Sequence, residues 1–201
     1  MANIAVLVSG RGSNLQAIID NIESGYIKAK IAVVISDVRD AYALTRARSH
    51  GIKAVFIDPE KFTSKVSYEE KVLKVLQDNK VMLLLLAGYM KIVGKTLLLA
   101  YKDRILNIHP ALLPAFPGLH AQKQAFDHGV KVAGCTVHFV DDTLDGGPII
   151  LQKCIEVDEK DTAESLANRI LEQEHKIYPE AVKLFVENRL RIEGRKVKII
   201  N

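Results

Sequence analysis

Short β-branched apolar stretches alternate with amphipathic helical patterns along most of this chain, and that alternation constrains the fold more than any other feature. Strands that read apolar on both faces must be covered on both faces, which is the arrangement of a mostly parallel sheet flanked by helices. Residues 3–8 predict a strand, and residues 14–23 a helix with Leu15, Ile18, Ile19 and Ile22 on one stripe. Residues 31–35 predict a second strand, 41–50 a helix stopped by Gly51, 54–57 a short strand and 67–79 a helix. The longest apolar run, residues 81–90, contains Gly88; it is too short to cross a bilayer and reads as a buried strand. Residues 104–109 predict a further strand that ends at Pro110.

The second half changes character. Residues 132–140 alternate, and 148–157 form another strand candidate after a Gly-Gly turn, so hairpin pairing and a mixed sheet are expected there. Asp161-Thr162-Ala163-Glu164 resembles a capping box opening a long helix, with Leu166, Ile170, Ile177, Ala181 and Leu184 on one stripe and a kink expected at Pro179. Residues 189–200 predict a terminal hairpin turning at Glu193-Gly194. With no linker, repeat or low-complexity stretch, the expectation is one α/β domain over residues 1–201, a Rossmann-like three-layer sandwich whose sheet is mixed in its C-terminal part.

Charge narrows the function classes. Lysine and arginine number 28 against 24 acidic residues, and the net +4 is spread along the chain. That balance suits a small anionic substrate and lacks the clustered basic face of a nucleic-acid binder. Two cysteines, Cys135 and Cys154, build neither a disulfide framework nor a four-thiolate metal site. The chain enters its first strand without a basic, cleavable leader. A cytoplasmic enzyme that meets no membrane is the expectation.

Three polar constellations remain. Ser9-Gly10-Arg11-Gly12-Ser13-Asn14 lies between the first strand and the first helix, where glycines allow a tight turn and the helix N-terminus attracts a phosphate. Leu15 stands where a dinucleotide fingerprint needs its third glycine, and no Gly-Lys-Ser/Thr follows. A single phosphate fits better than a dinucleotide; a plain turn with a Ser or Asn cap is the alternative. Asn107 and His109 share one side of their strand at its C-terminal end, where ligands bind in open α/β sheets. They are either a packed amide and a neutral imidazole, or an oxyanion donor and a proton shuttle. The loop from Val140 to Gly147 is either a solvated acidic turn, to which Asp141 and Asp142 belong, or a device that turns Asp145 inward onto an imidazole. Its Asp-x-Thr-x-Asp-Gly start has Gln152 where a calcium loop needs glutamate. The spacing of His109, His120 and His138 matches no common zinc pattern, no Gly-x-Ser-x-Gly elbow is present, and Cys135 reads as a small core residue.

Taken together, Gly10-Arg11-Gly12-Ser13-Asn14-Leu15, Ala87-Gly88-Tyr89-Met90, Asn107-Ile108-His109-Pro110 with Pro117-Gly118-Leu119-His120, His138-Phe139-Val140 leading to Leu144-Asp145-Gly146-Gly147-Pro148, and Gln173-Glu174-His175 closely resemble the folate-dependent formyltransferases. The glycine turn and the length favour the phosphoribosylglycinamide formyltransferases within that group. The resemblance covers essentially the whole chain. It implies a formyl group moved from 10-formyltetrahydrofolate to the amine of glycinamide ribonucleotide in purine biosynthesis, with no metal and no covalent enzyme intermediate. Asn107 would then bond the formyl oxygen as it becomes an oxyanion, His109 would move protons, and Asp145 would hold His109 and favour its charged form. Gly12, Ser13 and Asn14 would take the substrate phosphate. Met90, Lys91, Ile92 and Val93, with Asn107, Val140, Asp141 and Asp145, would border the folate; Lys65, where bacterial members often carry arginine, would reach its tail. Glu174, inward on its helix stripe, would meet the substrate ammonium, or else a nearby cation. Thr136 and His138 share a strand face and would support the site from behind. Ala111, Ala115 and Phe116 replace more polar residues in the loop after His109.

The rivals are a formyltetrahydrofolate hydrolase, which usually carries an extra N-terminal regulatory domain, and methionyl-tRNA formyltransferase, which normally has an extra C-terminal one. A non-catalytic nucleotide-phosphate module would leave Asn107, His109 and Asp145 without a joint purpose. A monomer or a homodimer fits the sequence equally well.

Overall fold

The computed structural model describes residues 1–200. In chain order the elements are β1 (Ala2–Val8), α1 (Ser13–Glu23), β2 (Ala29–Ser36), α2 (Tyr42–Ser49), β3 (Ala54–Phe56), α3 (Lys65–Asp78), β4 (Leu83–Leu86), α4 (Lys95–Ala100), β5 (Ile105–His109), α5 (Ala121–His128), β6 (Val132–Phe139), β7 (Ile149–Glu156), α6 (Ala163–Val186), β8 (Leu190–Glu193) and β9 (Lys196–Ile199). The hydrogen-bonded strand order is β3-β2-β1-β4-β5-β6-β7-β9-β8. By Cα packing the chain divides into two compact units, Met1–Leu106 and Asn107–Asn201. Among the described residues no helix is long and apolar enough to cross a membrane.

In the N-terminal unit β1 is paired in parallel with β2 on one side and β4 on the other, and β3 adds in parallel to β2. Ile4 through Val8 and Leu83 through Leu85 are completely buried, which is what strands covered on both faces require. Only Leu83–Leu86 of the ten-residue apolar run is strand. Gly88, with φ +70°, then turns the chain out of the sheet. Helix α3 starts two residues before the predicted position, because Ser64 and Ser67 cap each other reciprocally. Gly12 is required twice over: its φ is +72°, and a Cβ there would lie 2.6 Å from Cβ of Ala43 on α2.

The C-terminal unit supplies the antiparallel part. β6 and β7 pair antiparallel, with an irregularity between Val137 and His138 that puts one extra residue on β7. β8 and β9 form the predicted terminal hairpin around Gly194. Helix α6 packs on β6, β7 and α5, and it runs unbroken through Pro179. Its cap differs from the predicted one. Thr162, not Asp161, is the N-cap, and its reciprocal partner is Ser165, not Glu164. Asp161 is engaged elsewhere, accepting from Ser165 Oγ, from the Asp158 N–H and from Arg169. The short helices α4 and α5 lie outside the sequence expectations; each buries too few side chains to show a helical period, Leu97 in one and Ala121 with Ala125 in the other.

Removing the observed cap tests this correction. Thr162→Ala should lower unfolding free energy by about 1 kcal/mol, whereas Glu164→Ala should stay within about 0.5 kcal/mol of the parent chain, both read by urea denaturation.

Candidate active site

In the N-terminal unit the glycine turn delivers the chain into α1 with no side chain capping the helix. The first amide groups of α1, from Ser13 onward, therefore point out of the helix as a cluster of donors at the positive end of its dipole. The turn is held by Ala43 N–H donating to Gly10 O (3.1 Å) and by Arg46 Nε donating to Arg11 O (3.0 Å). Beside it, Ser9 Oγ donates to Asp37 Oδ1 (2.6 Å) and accepts from the Met90 N–H (2.9 Å). Of the segment predicted to border a folate, Met90, Lys91 and Ile92 are exposed, while Val93 packs inside. Lys65 is exposed at the start of α3.

In the C-terminal unit Asn107 and His109 lie on one side of β5, Thr136 and His138 on one side of β6, and the loop after β6 brings Asp145 to them. His109 is nearly buried. Its Nε2 donates to Phe116 O (2.9 Å), and its Nδ1 lies 3.4 Å from Asp145 Oδ2. The ring is thus set between a carbonyl on one side and a carboxylate on the other. The same Asp145 oxygen accepts the Gly118 N–H at 2.8 Å. Asp145 holds a left-handed conformation, φ +49°, which turns the side chain inward and leaves its carboxylate only 13% exposed.

His138 is held neutral. Nδ1–H donates to Phe139 O (2.8 Å), which leaves Nε2 as the acceptor for Asn107 Nδ2 (3.1 Å). Burial favours the neutral ring and holds its pKa below the ordinary histidine value, against the opposing pull of the Phe139 carbonyl and the Asp145 carboxylate. Asn107 is thereby fixed by one of its two amide hydrogens and keeps the other for a ligand.

Thr136 works at one remove. Its hydroxyl donates to Ala111 O (2.7 Å) and accepts from the Leu113 N–H (3.0 Å) and Gln152 Nε2 (3.0 Å), so it anchors the loop that follows His109. Val140 is half-buried at the end of β6, and Asp141 caps its own turn by accepting the Thr143 N–H (2.9 Å). Glu174 is 5% exposed on α6, and its charge, second to burial itself, helps push the thiol of the buried Cys135 up to about 12. That thiol is inert core, as read from the sequence. Sequence reasoning missed the backbone partners of the cluster, Phe116 O and Gly118 N–H, and also the Ser9–Asp37 tie. The Pro117-Gly118 turn was the only visible signal for the first two.

This geometry can be set beside known proteins. The profile of the family described as formyl transferase matches residues 2–182. The chain belongs to that family. Phosphoribosylglycinamide formyltransferase of Bacillus subtilis is 45% identical over 91% of this chain and 94% of its own length. The crystal structure of glycinamide ribonucleotide transformylase 1 from Symbiobacterium toebii superposes with a TM-score of 0.99 at 55% identity, covering 100% of this chain and 95% of that one. A more distant family structure, a formyltetrahydrofolate deformylase from Pseudomonas syringae, reaches 0.92 at 25% identity and covers 100% of this chain but 66% of the other.

The neutral state of His138 carries a pH signature. Because its folded pKa is depressed, the unfolded chain binds the extra proton first, and stability falls as pH drops below the ordinary value of 6.5. His138→Gln should remove that component. The loss of unfolding free energy between about pH 7.5 and about pH 5.5 should be smaller in the variant than in the parent chain, by urea titration at each pH.

Proposed function

We propose that the chain transfers the formyl group of 10-formyltetrahydrofolate to the amine of N1-(5-phospho-D-ribosyl)glycinamide, giving the N-formyl product and tetrahydrofolate in purine biosynthesis. The observation that carries this is the His109 ring, held between Asp145 and the Phe116 carbonyl on the strand that also presents Asn107. Such a set does not need a nucleophilic side chain. The substrate amine attacks the formyl carbon, a C–N bond forms, and the carbonyl oxygen becomes an oxyanion. The free amide hydrogen of Asn107 donates to that oxygen, and the imidazolium of His109 beside it, its own N–H groups facing Phe116 and Asp145, stabilises the new charge electrostatically. The amine then loses a proton and the folate nitrogen gains one as the old C–N bond breaks. His109 is the group placed to pass it, with Asp145 compensating its charge.

The remaining roles follow from chemistry and position. The donors of Gly12, Ser13 and Asn14 suit the phosphate monoester. Glu174, a buried carboxylate, suits the ammonium of the glycinamide. Within the N-terminal unit the exposed Met90, Lys91 and Ile92, backed by Val93, offer apolar surface and a cation to the folate, with Lys65 for its anionic tail. Within the C-terminal unit Asn107, Val140, Asp141 and Asp145 take the pterin end, and Thr136 and His138 hold Asn107 and the loops in place. Neither reactant calls for a metal or a second protein. The likeness to formyltransferase relatives over nearly the full chain favours transfer to an amine over delivery to water.

The deciding assay follows 10-formyltetrahydrofolate with and without glycinamide ribonucleotide. Formyl loss should depend on the amine, and loss to water at the same rate would make the chain a hydrolase. His109→Ala should lower turnover roughly 10²–10⁴-fold; near-native turnover removes His109 from the mechanism. Asp145→Asn should lower activity and move the alkaline limb of the rate profile to lower pH, because the working imidazolium loses its countercharge. Glycinamide ribonucleotide should bind at least about tenfold more tightly than its dephosphorylated form. Equal affinity would remove the phosphate from the N-terminus of α1.

A further inference from the structure

Glu69 on α3 is a buried carboxylate that the proposed chemistry does not use. It is 4% exposed, and its Oε1 accepts the Gly94 N–H at 2.5 Å. The approach is so close that a Cβ on Gly94 would lie 2.7 and 2.8 Å from the two carboxylate oxygens and 2.8 Å from Lys65 Cε. Glycine at 94 is therefore what lets the carboxylate reach the backbone. At the other end of the same segment, the Met90 N–H is held by Ser9 Oγ, which in turn donates to Asp37, itself 7% exposed. Lys91 Nζ lies 3.9 Å from that aspartate.

Residues 90–94 belong to no helix or strand. Their outer side chains stay in solvent, Met90 at 61% and Ile92 at 66% exposure. A segment with no regular hydrogen bonding and two bare apolar side chains keeps one shape only if something outside it holds its backbone. Here Glu69 does so at one end, and at the other Ser9 does, itself fixed by the Asp37 carboxylate. Beside them is a cleft of about 450 Å³ whose lining includes Lys65, Tyr68, Tyr89, Lys91 and Ile92, with the two tyrosine hydroxyls 3.0 Å apart. Burying a carboxylate is costly. One that satisfies a loop amide beside a cleft fits preorganisation of a binding edge better than packing of a core.

We propose that Glu69 is a positioning residue which, with Asp37 at the far end, fixes the Met90–Gly94 segment in the shape that takes the folate co-substrate; this rests on the folate role given to that segment above. Glu69 touches no reacting atom, so it acts on folate binding and leaves the chemical step alone. Glu69→Ala should raise the KM for 10-formyltetrahydrofolate roughly tenfold, the effect of leaving a buried amide unsatisfied. Turnover should stay within about twofold and the KM for glycinamide ribonucleotide should not change. Glu69→Gln keeps an acceptor oxygen and should recover most of the loss. Gly94→Ala reaches the same contact from the loop side, so it should reproduce the effect, and the double variant should be no worse than either single one.

A fall in turnover with unchanged folate KM, a joint rise of both KM values, or kinetics identical to the parent would each overturn the proposal. Amide hydrogen exchange separates this failure from failure of the underlying function. Faster exchange confined to residues 90–94 in Glu69→Ala supports the two-ended tie even in a chain with no amine-dependent formyl loss. Unchanged exchange there refutes the tie even in an active enzyme.

Discussion

The His109 ring stands between two oxygen acceptors, and the C-terminal unit is organised around that clamp. The Phe116 carbonyl stands at one nitrogen and the Asp145 carboxylate at the other, 2.9 and 3.4 Å away. Both arrangements draw on uncommon backbone geometry. Phe116 and Asp145 take φ values of +54° and +49°, where L residues are strained, and the Gly118 N–H steadies the carboxylate from the same loop. Thr136 and Gln152 then hold the stretch between His109 and Phe116. Strain is tolerable there because so many separate bonds over-determine the loop.

One strand away, the same residue type serves the opposite end. His138 has a carbonyl on Nδ1 and an amide donor on Nε2, and it stays neutral because it is buried. The two histidines are held differently: His109 lies between two oxygen atoms, while the neutral His138 aims the Asn107 amide beside it. Protonating His138 would cost the Asn107 hydrogen bond, because its Nε2 would no longer accept.

Much of this was legible in the sequence because side chains on a strand obey a period of two. Asn107 with His109, and Thr136 with His138, could be placed on common faces from spacing alone. The alternation of strand and helix patterns likewise gave the parallel sheet, and the Gly-Gly turn its antiparallel continuation. What stayed hidden was supplied by backbone atoms, which carry no residue signature: the Phe116 carbonyl, the Gly118 amide and the Gly94 amide. Glu69 was hidden for a different reason. In Tyr68-Glu69-Glu70-Lys71 it reads as part of a solvated face, and only the approach of Gly94 buries it. The helix cap slipped by one residue because Asp161 and Thr162 are both competent caps. Arg169 and the Asp158 amide decide between them by occupying the aspartate.

Two glycines in β6 and β7's connection have no room for any side chain. A Cβ at Gly134 would sit 2.0 Å from the Lys153 carbonyl oxygen, and one at Gly147 would sit 1.9 Å from that of Phe139. In a saturation library scored by growth alone, these positions would look as intolerant as the proposed mechanism makes His109 or Asp145, although neither glycine approaches a substrate in it. Scoring protein abundance alongside growth would split the two groups, since losing a glycine there empties the cell of folded chain, while under the proposed mechanism losing the imidazole leaves it full of silent enzyme.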